Sequence, residues 1–126
     1  MRIFADSNRY NQIVTSHDIE AELFRALAHP TRLRILELLR AASSLTVGEI
    51  QQRLGLRAAN VSQHLAVLRQ SSLVSTRRDG TSIWYAIAAP GVTAVMDSAR
   101  HLHQSPSETG RRLRTDTESQ HYDTDT

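Results

Sequence analysis

Ile19, Leu23 and Leu27 fall at i, i+4 and i+8 with Phe24 beside them, a spacing that predicts a helix from about Ser16. It should end at His29-Pro30, because the residue before a proline avoids the α region. Pro30 opens a second helix, where Leu33, Leu36 and Leu39, with Ile35 and Leu38 alongside, make a wide apolar arc to about Ala42. Such an arc belongs to a central core helix, and Arg32, Arg34 and Arg40 lie off it. Ser43 and Ser44 form a loop with Leu45. Thr46 and Glu49 then have capping-box spacing, so a third helix starts there and runs to Leu54, before Gly55. A turn of three or four residues leads to a fourth helix, about Ala58 to Gln70, with its apolar stripe at Val61, Leu65 and Leu68.

The periodicity then changes. Leu73 to Arg78 and Thr81 to Ile87 are rich in β-branched and aromatic residues, which predicts two strands, and Asp79-Gly80 between them favours a type I′ turn with φ > 0 at both residues. Trp84 and Tyr85 alternate across the second strand, so one faces the core and the other faces away. Ala88-Ala89-Pro90-Gly91 breaks the chain. Val92, Val95, Ala99 and Leu102 define a last helix with one narrow apolar stripe, the mark of a partner seam. The expected fold is mainly α with a β-hairpin wing: a winged helix-turn-helix of about five helices and two strands, at residues 16–104. Residues 1–15 read as a flexible arm. Residues 105–126 are polar, repetitive in Thr and Asp, and read as a disordered tail.

The outer face of the fourth helix carries Ala59, Asn60, Ser62, Gln63, Ala66 and Gln70. A solvated helix face usually bears Glu, Lys or Arg, whereas this thinly clothed one suits close approach to base edges, where amides and hydroxyls pair and methyls touch thymine. Arg77 and Arg78 beside the tight turn make a compact cationic finger for phosphates or a narrow minor groove. A helix that can enter a groove, followed by a basic hairpin, is the layout of a duplex DNA reader.

Net charge is only +2, but it is uneven: between Arg32 and Tyr85 there are eight arginines, Arg69 at the end of the reader helix among them, against Glu37, Glu49 and Asp79. All basic residues are Arg, a bias that genome composition alone can produce. The absence of cysteine excludes disulfides, thiolate metal sites and thiol redox sensing. No apolar run is long enough to span a membrane and the first residues lack the apolar core of a signal peptide, so a cytoplasmic protein with no membrane partner is expected.

Four blocks, ALAHPTRLRILELL (26–39), VGEIQQRLGL (47–56), NVSQHLAVLRQSSLV (60–74) and RRDGTSIWYAI (77–87), stand in the order and spacing of a known family. Over about residues 19–104 the chain resembles the ArsR/SmtB family of bacterial winged-helix repressors. The resemblance implies a homodimer built from the first and last helices, with Ile19, Leu23, Val92, Val95, Ala99 and Leu102 at its interface, a two-fold symmetric operator in double-stranded DNA, and relief of repression by an inducer. Arg57, Ala58 and Ala59 stand where the family commonly has Ser and polar residues, so the reader helix lacks a good N-cap and any base contact at 58 and 59 is by methyl. Where the family's reader helix usually ends in Gly, this chain has Ser72. DNA contact is therefore expected of Arg57, Ala58, Ala59, Asn60, Ser62 and Gln63, and also of His64, Arg69, Arg77 and Arg78.

Asp97, His101 and His103 are weak metal-ligand candidates. The family's carboxylate and histidine site needs a His two residues after the Asp and a second pair beyond it; here position 99 is Ala and the tail offers only His121. No metal and no cofactor are expected. His17 and His29, near helix ends, suit capping or packing, and His64 sits at the edge of the apolar stripe, where a structural role is expected first. No nucleophile stands with a base in a catalytic motif, so no enzyme is expected. The main alternative is an interaction or architectural module with mostly non-specific DNA affinity; within the regulators, it is a histidine-type metal sensor.

Overall fold

The computed structural model describes residues 14–104. Most of the N-terminal arm and the whole C-terminal tail, with Arg111, Arg112, Arg114 and His121, lie outside the described residues. The chain divides after Ala88 into two units.

In the first unit, α1 (Ser16–Leu27) starts at a capping box in which the Thr15 hydroxyl accepts from the Asp18 amide while the Asp18 carboxylate accepts from the Thr15 amide. Those bonds hold the Asp18 carboxyl below the usual carboxylate range. Next comes α2 (Pro30–Ala42), whose N-cap is the His29 ring: Nδ1 accepts from the Thr31 amide at 3.1 Å. The capping role expected of His29 is therefore its position in the fold. The short strand β1 (Leu45–Thr46) leads directly into α3 (Val47–Leu54), capped by the Thr46–Glu49 pair and ended by Gly55 in the left-handed region at φ +67°. The helix α4 (Ala58–Gln70) follows, then β2 (Val74–Asp79) and β3 (Ser82–Ile87).

Three elements converge on one core. Ile35, Leu36 and Leu39 of α2, Ile50 of α3 and Val61, Leu65 and Leu68 of α4 are almost wholly removed from solvent. Burying each side chain is worth roughly 1.5–3 kcal/mol, which fixes how α4 is presented. The expected stripe on α4 is its buried face.

The sheet corrects the sequence reading in two places. Leu45 is not in a loop: Leu45 and Thr46 pair antiparallel with Tyr85 and Trp84, so the sheet has three strands in the order β1-β3-β2. The signal was too short to see, since two residues cannot show an alternation. The hairpin turn is also shifted by one residue. Asp79 pairs with Ser82, leaving Gly80-Thr81 as the loop, and of these only Gly80 has positive φ (+66°), the pattern of a type II′ turn. Register decided this, because pairing Val74 with Ile87 puts both on the core side of the sheet.

The end of α4 solves the missing-glycine problem with serine. Ser72 adopts φ +60°, its amide donates to the Arg69 carbonyl at 2.9 Å, and the Leu73 amide donates to the Leu68 carbonyl at 2.9 Å. These are the two bonds of a Schellman motif. The Leu73 carbonyl in turn accepts from the Ala88 amide, which ties the end of the wing to the end of α4.

The second unit contains α5 (Pro90–Gln104). Its buried residues are Val92 and Met96, while Val95, Ala99 and Leu102 are exposed. Val92, only 7% exposed, and Met96 form the buried edge of one apolar arc, which continues through Ala99 and Val95 to Leu102 on the exposed side. Among the described residues no helix is long and apolar enough to cross a membrane.

Candidate nucleic-acid interface

Gln63 stands opposite the buried stripe of α4, and around it Ala58, Ala59, Asn60, Ser62, Ala66 and Gln70 are all exposed. Arg57 occupies the N-cap position with extended backbone and makes no side-chain capping bond, so the first amides of α4 point outward with no local acceptor. That end carries the positive pole of the helix dipole and suits a phosphate. Arg69 is exposed near the other end.

The two wing arginines occupy different positions. Arg77 pairs across the hairpin with Trp84; its guanidinium lies 5.9 Å from the Trp84 ring centroid and 3.8 Å from the Asp79 carboxylate. Arg78 points to the other face of the sheet, opposite Ile83 and on the same side as Thr76 and Tyr85. Both arginines are exposed. By the same alternation Tyr85 lies on the side of buried Leu45 and Val74, and Trp84 lies on the opposite side with Arg77. Neither ring is fully buried.

His64 is placed differently from its neighbours on the reader helix. It is half-buried, its Nδ1 lies 3.3 Å from an Arg32 Nη, and its ring centroid is 4.4 Å from that of His29, tilted by 48°. Arg32 also donates from Nε to the Ala26 carbonyl (2.5 Å) and from its other Nη to the Arg25 carbonyl (3.2 Å), so one guanidinium holds the C-terminus of α1 against α2 and α4. Burial, then the charges of His29 and Arg32, push the His64 pKa below the usual histidine value, and burial lowers that of Arg32. Sequence reasoning missed this cluster, because 32 residues separate Arg32 from His64 and no local pattern announces it.

A groove of about 390 Å³ runs between α4 and β3, bounded by Ser62, Leu65, Ala66, Arg69, Gln70 and Tyr85. Nothing in the sequence position of Tyr85 places it beside α4; the docking of β3 does. On α5, Asp97, His101 and exposed Leu102 border a shallow depression. Among the described residues no three His, Cys, Asp or Glu side chains come together as metal ligands.

Residues 27–77 match the model of a helix-turn-helix domain family. The HTH-type transcriptional regulator Rv0081 of Mycobacterium tuberculosis is 45% identical over 87 residues, covering 68% of this chain and 75% of its own. Its crystal structure superposes with a TM-score of 0.65 at 39% identity, over 80% of this chain and 94% of that one. The HTH-type transcriptional regulator YgaV of Escherichia coli is 34% identical over 92 residues, 73% of this chain and 93% of its own. The solution structure of Mb0332 from Mycobacterium bovis, described as a homodimeric winged helix-turn-helix DNA-binding domain of a possible ArsR-family regulator, gives a TM-score of 0.68 at 28% identity, covering 86% of this chain and 95% of that one. With an exposed reader helix, an arginine wing and these relatives, the chain belongs to the ArsR/SmtB family of winged helix-turn-helix transcriptional regulators.

Proposed function

We propose that this protein acts as a homodimeric repressor in the cytoplasm, with α4 in the major groove of a two-fold symmetric operator and the β2–β3 wing on the adjoining backbone or minor groove. The observation that carries this reading is the exposed stripe on α4: amides, a hydroxyl and methyls without charge, held by a rigid core and flanked by Arg57, Arg69 and the wing arginines. Uncharged short side chains read base edges, while arginines supply affinity that is indifferent to sequence.

Dimer formation is supported by surface left over in each unit. On α1, Ile19 is 56% and Phe24 63% exposed; on α5, Leu102 is 72% exposed and shares a face with Val95 and Ala99. Mb0332, a structural relative, is described as a homodimer. Two readers related by a two-fold axis would meet half-sites about 34 Å apart. Enrichment of a duplex from a random-sequence library, followed by sedimentation of the complex, tests the reading. Two protomers on a palindromic footprint are expected; one protomer on an asymmetric site would remove the dimeric repressor.

A further inference from the structure

Ser62, Ala66 and Arg69 follow one another at i, i+4 and i+7 along the side of α4 that faces the wing, roughly 40–100° round the helix from Leu65. This stripe is separate from Gln63, which stands on the far side of the helix from the core. Across the groove it faces Tyr85, and Arg78 continues the same face of the sheet towards the hairpin tip. The groove thus has an apolar floor at Leu65 and Ala66, with a hydroxyl, a phenol and a guanidinium on its rims.

With α4 in a major groove and the wing at the next minor groove, the strand dividing those two grooves has to cross the protein between helix and wing. We infer that the groove between α4 and β3 seats the sugar-phosphate backbone of that strand, and that Tyr85 is a DNA-contacting residue which, with Arg69, holds one of its phosphates. The inference rests on the DNA-binding reading above. The phenol O–H and the guanidinium N–H groups donate to phosphate oxygens, and the apolar floor lies against deoxyribose. Charge complementarity selects this occupant, since the groove's one charged lining residue is Arg69, and Arg78 extends that charge along the same side. The contact fixes the register of the reader helix without reading sequence.

The test uses the full chain with two probes, a duplex enriched from a random-sequence library and an unselected duplex, at one salt concentration. Tyr85→Phe, which keeps the ring and removes only the hydroxyl, should weaken binding to both by a similar factor, about threefold to tenfold. Arg69→Ala should do so at least as strongly, and the double variant should lose less than the product of the two, because both groups serve one phosphate. In a scan with single neutral methylphosphonate linkages, one linkage should weaken the wild type and make Tyr85→Phe no worse than the wild type. Where Tyr85→Phe melts, the same linkage is compared between wild type and Arg69→Ala, whose difference should vanish there. An unchanged Kd for folded Tyr85→Phe, a loss confined to the enriched duplex, or persistence of the loss at every linkage would overturn the assignment. A wild-type protein that binds neither duplex would instead overturn the DNA-binding reading on which it stands.

Discussion

Arg32 of α2 places an Nη 3.3 Å from Nδ1 of His64, tying the reader helix to the guanidinium that also closes the end of α1. Orientation of α4 is thus set by a polar clamp as well as by the stripe of Val61, Leu65 and Leu68. Arg32→Ala should cost about 1–3 kcal/mol, because it removes charge-assisted bonds to the half-buried Ala26 carbonyl, to the exposed Arg25 carbonyl and to His64. Urea unfolding measures this, and a loss under a few tenths would leave orientation to the apolar core alone.

The same clamp gives a pH dependence. Folding lowers the His64 pKa, so the unfolded chain binds the proton more tightly, and stability is full above the ordinary histidine pKa near 6.5. As pH falls below that value the contribution is lost, until the folded-state pKa is reached. Urea midpoints for wild type and His64→Gln should therefore diverge between about pH 7.5 and pH 5.5, with the wild type falling more steeply. Parallel curves would mean that His64 is not held neutral by its neighbours.

Arg77 and Arg78 should not be equivalent, although they are adjacent. Arg77 lies over Trp84 and near Asp79, while Arg78 faces the side of the sheet that borders α4. Arg78→Ala should lower the magnitude of the log Kd against log salt slope by about one on any duplex. Arg77→Ala should lower it by less. Equal slopes for the two variants would show that the wing lies flat on the DNA.

Ser72 carries a cost that glycine would relieve. At φ +60° a residue with a Cβ is disfavoured by roughly 1–2 kcal/mol, so Ser72→Gly should stabilise the protein by about 0.5–1 kcal/mol after the added chain entropy of glycine. A thermal melt that shifts downward would place the strain elsewhere.

Much of this was legible because it is local. The α4 boundaries follow from the spacing of Val61, Leu65 and Leu68, and the Thr46–Glu49 cap from a four-residue pattern. The Thr15–Asp18 cap went unread because Asp stands where Glu or Gln is the usual signal. What depended on pairing between distant segments was not legible. Leu45 gained its strand only from β3, the hairpin turn moved to Gly80-Thr81 because strand register overrode the Asp-Gly preference, and the His29–Arg32–His64 cluster and the Tyr85 groove exist only once α4 is docked. On α5, Met96 stands outside the narrow stripe of Val92, Val95, Ala99 and Leu102 and widens it by about 40° into a broader apolar arc.

The proposed dimer uses the exposed face of α5 that carries Leu102. Leu102→Glu should give a monomer by sedimentation at micromolar concentration with the melting temperature of the folded unit retained, since the residue is 72% exposed in one chain. Zinc or nickel at submicromolar concentration should leave duplex affinity within tenfold of the metal-free value, because Asp97 and His101 on α5 lack a third and fourth ligand beside them among the described residues. A larger change abolished by His101→Ala and His103→Ala would make this chain a histidine-type metal sensor.

Whether α4 reads sequence is tested most directly by the ratio of affinities for an enriched duplex and an unselected one at physiological salt. The wild type should show a ratio of roughly 10³ or more, and Gln63→Ala should lose about 1–3 kcal/mol of that discrimination with little change on unselected DNA. A wild-type ratio near one would contradict sequence reading by α4 and leave an architectural module that binds any duplex.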